Sequence, residues 1–70
     1  MSETSKGDLV YVPSGVRLYR EADSGVVSRY KKIEKPAHLL VTKVNDQTYE
    51  VLFGRETWLV EKNNTYGAIL

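Results

Sequence analysis

No cysteine occurs in the 70 residues, which excludes disulfide staples, thiolate metal sites and thiol catalysis together. Stability then has to come from an apolar core or from association. Histidine is almost as scarce: a metal site at His38 would need carboxylates alone around it, and no Asp or Glu spacing matches zinc or calcium ligation. An excess of one charge sign is also missing. Ten basic and nine acidic side chains leave a net charge of +1, neither the polycation of a typical nucleic-acid binder nor an acidic mimic of DNA. No apolar run approaches the roughly 20 residues that span a bilayer. Residues 1–6 are polar and Leu9–Val12 holds only four apolar residues, so a signal-peptide pattern is absent, and Ser2 in place of glycine excludes myristoylation. The expectation is a cytoplasmic chain with no membrane partner. Asn63-Asn64-Thr65 matches a glycosylation acceptor, but no secretion pattern accompanies it.

Helical spacing of ordinary length is absent too, and what is present is β signal punctuated by turn residues. Residues 1–6 read as a disordered tail and residues 7–70 as one small domain, of a size that buries only about 60% of its unfolded surface. Leu9-Val10-Tyr11-Val12 is a strand ended by Pro13. Residues 14–36 read as one long, irregular hairpin loop, in which Val16 and Leu18 alternate with Arg17 and Tyr19 at the period of a half-buried strand, and Val26, Val27 and Tyr30 keep a strand-like composition up to a charged run that closes at Pro36. Residues 39–44 form a strand and Asn45-Asp46-Gln47 a turn. Residues 48–53 then place Tyr49, Val51 and Phe53 on one face. Gly54-Arg55 fits a two-residue type II′ turn, with glycine at the position of positive φ. Residues 57–60 pair back across it, residues 61–65 have the size of one 3₁₀ turn, and residues 66–70 are a last short strand.

Tyr49-Glu50-Val51, Gly54, Trp58-Leu59-Val60 and Tyr66 together resemble the second half of bacterial SH3 domains: aromatic-x-Val, a glycine turn, then Trp, Val and a closing Tyr. Val16-Arg17-Leu18-Tyr19-Arg20 stands where that family usually has Asn-Val-Arg-x-Gly-Pro. The resemblance implies an all-β, five-stranded SH3-like small barrel with a long first loop and a 3₁₀ turn before the last strand. It also implies cell-wall peptides as one class of ligand. A short, stand-alone barrel without an export signal further resembles the accessory proteins of tailed phages.

No residue announces a reaction. Ser14, Ser24 and Ser28 lack the strained elbow of a nucleophile, and Glu50 and Glu56 lack the long cleft that a glycosidase pair requires. The glycines open no helix, so none cradles a phosphate. His38, beside Pro36 at a strand start, reads as a packing residue. The expectation is a chain that is not an enzyme and takes no cofactor.

Binding is better supported. Five tyrosines and one Trp exceed what so small a core can hold, since each ring buries about 150–250 Å². In an SH3-like barrel the groove lies between the long loop and the 3₁₀ turn, which places Tyr11, Tyr19, Tyr30, Trp58 and Tyr66 on or near a site for a protein or extended peptide. The register of Trp58 stays open, because it faces out if Thr57 and Leu59 face in. Arg17, Arg20, Arg29, Lys31, Lys32 and Lys35 make the loop basic. A nucleic-acid-binding barrel using these cations is the alternative, and a homodimer by strand addition at an exposed edge is a further expectation.

Overall fold

A computed structural model describes residues 4–22 and 25–67. Its strands are β1 (Leu9–Val12), β2 (Arg17–Glu21), β3 (Val27–Lys32), β4 (Ala37–Val44), β5 (Thr48–Phe53), β6 (Glu56–Glu61) and β7 (Tyr66–Gly67), with a 3₁₀ turn over Lys62–Asn64 before β7. They form one antiparallel sheet in the order β3-β2-β6-β5-β4-β1-β7. The molecule is all-β, and among the described residues no helix is long and apolar enough to cross a membrane.

Two expectations change. Among the described residues seven strands replace five, because the expected loop contains two of them: β2 and β3 pair from Arg17↔Lys32 to Arg20↔Arg29, with a shift in register before Glu21↔Val27. Ser5, expected in a free tail, is tied down: its N–H donates to Asp8 Oδ2 at 2.8 Å, and the Asp8 N–H returns a bond to the Ser5 carbonyl at 3.0 Å. Residues 1–3 of that tail and residues 68–70 of the expected last strand lie outside the described residues.

The alternation read from the sequence builds the core. Val10 and Val12 of β1, Leu18 of β2, Leu39 and Val41 of β4, Val51 of β5, and Trp58 and Val60 of β6 are buried, together with Ile33. Trp58 lies opposite Val51, so the register that buries Val51 also buries the indole, which is 4% exposed. Among the described residues of 14–36, Leu18 and Ile33 are the ones that reach full burial. Ile33 sits just beyond β3, where its N–H donates to the Val16 carbonyl at 2.8 Å and its carbonyl accepts from the Gly15 N–H at 2.7 Å. The two backbone bonds close the base of the β2–β3 hairpin, while the two buried side chains and the cross-strand pair Tyr19↔Leu59 join it to the rest of the sheet.

The turn between β5 and β6 has the expected geometry. Phe53↔Glu56 closes a two-residue connection, and Gly54 has φ +67°. Among the described residues no other residue type has positive φ, so Arg55 is excluded from the second positive-φ position of a type I′ turn and type II′ remains.

Candidate partner-binding surface

Cross-strand register places every expected site residue except Lys35, which lies between β3 and β4. Tyr19 lies opposite Tyr30 and opposite Leu59, which in turn faces Glu50, which faces Lys43. One row of side chains therefore crosses five strands on a single sheet face. Because β2 meets β6 at only one pair, the hairpin diverges from the sheet, and a polar cleft of about 450 Å³ opens along this row between Tyr19, Leu59, Glu50, Lys43, Asn45 and Thr48. Much of its polar lining is already paired: the Thr42 hydroxyl donates to Glu50 Oε2 at 2.8 Å, and Asn45 Nδ2 donates to Thr48 Oγ1 at 3.1 Å. Among the described residues no buried side-chain nitrogen or oxygen lacks a partner, and no cluster of three His, Cys, Asp or Glu residues is placed to hold a metal.

Burial, followed by the nearby Glu61 and Glu21 carboxylates, pushes the Tyr19 phenol above its ordinary value of 10.0. The phenol therefore stays protonated at neutral pH. Since the folded value is the higher one, its contribution to stability is complete below about 10 and is lost as pH rises through the folded value. A spectrophotometric titration should therefore show a tyrosine ionising above 10.0, and Tyr19→Phe should remove that step. A Tyr19→Phe curve identical to that of the unaltered protein would contradict this assignment.

The aromatics do not gather into one groove. Tyr11 pairs with Tyr66, their ring centroids 6.1 Å apart, and Tyr11 also meets His38 at 5.3 Å. Tyr19 and Tyr30 form a second pair on the hairpin. No ring contact joins the two pairs among the described residues. Tyr11 and Tyr19 are half-buried, whereas Tyr30 is 67% exposed and Tyr66 is also exposed. Trp58 is the correction: it is core, covered by guanidinium groups, with the Cζ atoms of Arg20 and Arg29 lying 5.7 and 5.8 Å from its ring centroid. It offers a partner almost no surface.

The six basic residues divide as well. Arg20 Nη1 lies 2.7 Å from Glu56 Oε2 and Arg29 Nη1 lies 3.9 Å from the same oxygen, so one carboxylate partly offsets two cations. With both partners of the closer pair well exposed, that contact is worth about 0–1 kcal/mol. Arg17 stacks over Tyr30 at 5.7 Å, and Lys31 lies over Phe53 at 5.5 Å. Arg17, Lys31, Lys32 and Lys35 form no ion pair among the described residues. All six residues of β3 are exposed.

No family model, curated protein or solved structure matches the chain.

Sequence reading missed one surface. Leu9↔Leu40 and Leu40↔Leu52 align three leucines across β1, β4 and β5, each between 38 and 46% exposed. Tyr11 and His38 extend the same face by one step along their strands. The signal was alternation within each strand, but only the register brings the three leucines side by side.

Proposed function

We propose that this chain is a non-catalytic protein-binding module, an SH3-like barrel related to bacterial SH3 domains, that acts as an adaptor or as an inhibitor of a larger protein machine. The barrel reading is supported by the order of parts: a long hairpin after the first strand, a tight glycine turn between β5 and β6, and a 3₁₀ turn before β7. The binding reading is carried by one observation. Tyr30 is 67% exposed on a strand whose six residues are all exposed, with Arg17 stacked on its ring. Burial within the domain does not account for such a strand, because none of its six residues enters the core. Tyrosine and arginine at an accessible surface are the side chains that most often dominate protein–protein affinity. Glu56 beside Arg20 and Arg29 weakens the continuous positive field that a nucleic-acid interface would use, which favours protein over nucleic acid.

The test is affinity purification from the cells that make the protein, comparing the intact chain with an Arg17→Ala, Tyr30→Ala variant. Both positions are exposed, so the variant keeps the fold. Capture of one protein, lost at least tenfold with the variant and insensitive to nuclease, is expected. Undiminished capture by the variant, or a catch that disappears on nuclease treatment, would overturn the proposal.

A further inference from the structure

The sheet has two edges and they differ. Among the described residues β7 contributes two, while β3 contributes six and pairs only with β2. The backbone groups of β3 that point away from β2 are thus a template for another strand. Between Lys32 and Arg29 the register with β2 is regular, and the shift falls only at the Val27 end. The template contains no proline.

Its side chains carry one sign of charge. Lys31 lies opposite buried Leu18 and Arg29 lies opposite Arg20, so Arg29 and Lys31 flank the edge on the core side. Tyr30 and Lys32 flank it on the other side, next to Tyr19 and Arg17. No acidic residue lies within β3. Cations on an edge strand ordinarily block pairing, and here they block one partner in particular: a second copy of β3 would bring Arg29, Lys31 and Lys32 against their own kind. The same charges favour a strand of opposite sign.

The geometry points to strand addition at the free edge of β3 by an extended acidic segment of a partner protein, with acidic side chains beside Arg29 and Lys31 and an apolar one against Tyr30. This rests on the protein-binding reading above and specifies its mode. Main-chain hydrogen bonds supply affinity in such complexes, and alternate side chains supply selectivity.

The probe is a capped ten-residue peptide of alternating Glu and Val, titrated into the full chain and followed by amide NMR shifts and hydrogen exchange. Shifts centred on residues 27–32, with exchange of the outward amides of β3 slowed at least tenfold at saturation, are expected. The same peptide N-methylated at alternate residues should bind at least tenfold more weakly, because it keeps the charge and loses the edge. A Lys31→Glu, Lys32→Glu variant should lose the Glu-Val peptide and gain a Lys-Val peptide. Equal binding of the N-methylated peptide would overturn strand addition in favour of charge alone. Shifts centred on Leu9, Leu40 and Leu52, no shift at millimolar peptide, or binding of a single-stranded oligothymidine in place of the peptide would each overturn it too. A partner captured through Arg17 and Tyr30 despite any of these results would leave the protein-binding reading standing.

Discussion

Trp58→Ala is expected to remove a large share of the protein's stability. Truncating a buried aromatic costs about 3–5 kcal/mol, while a domain of this length has a total stability of about 4–10 kcal/mol, at roughly 0.05–0.15 kcal/mol per residue. The loss extends beyond the cavity. Arg20 and Arg29 lie over the indole, and Glu56 meets both, so removing the ring leaves two cations facing an emptied core. Thermal unfolding followed by circular dichroism should show the melting temperature lowered by on the order of 15 °C or more, with Trp58→Phe losing less because a ring remains under the guanidinium groups. A melting temperature unchanged by Trp58→Ala would mean that the indole is not the centre of the core.

Ile33→Ala is expected to cost about 2–5 kcal/mol and to weaken partner binding without touching any residue of the exposed strand. Ile33 is 1% exposed, and the backbone bonds to Gly15 and Val16 that it brackets fix the base of the β2–β3 hairpin. Removing three carbons there loosens the attachment of the hairpin before it disturbs the pairing of β4, β5 and β6. Hydrogen exchange should speed up first at Gly15 and Ile33, whose amides make these bonds, with Val51 and Val60 following only on global unfolding. Uniform acceleration across all strands would show that the hairpin is no separate unit. Ile33→Val, which removes one methylene, should lie at about 0.5–1.5 kcal/mol.

What could be read from the sequence follows from which residues carry a one-sided pattern. β1 and β5 fall on the expected boundaries because Leu9–Val12 and Thr48–Phe53 are bounded by turn residues and each buries one face. Gly54 announces its turn because a two-residue connection needs a positive φ there. β3 was not legible. An edge strand exposed on both faces shows no alternation, and its run of Arg and Lys looks like a solvated loop. The burial of Trp58 was undetermined for a related reason: either register of residues 57–60 is plausible alone, and only the pairing with Val51 selects one. The cluster of Arg20, Arg29 and Glu56 depends on a contact between residues 36 apart, which no local pattern encodes. The leucine row across β1, β4 and β5 is hidden in the same way.

Two surfaces therefore compete for a partner: the basic edge at β3 and the leucine face with Tyr11, His38 and Tyr66. Hydrogen exchange of the protein alone and in its purified complex separates them most directly. Protection confined to residues 27–35, with the amides of Leu9, Tyr11, Leu40, Leu52 and Tyr66 unchanged, is the result expected of a module that binds through its hairpin. Protection of the leucine face with β3 exchanging as in the free protein would contradict it.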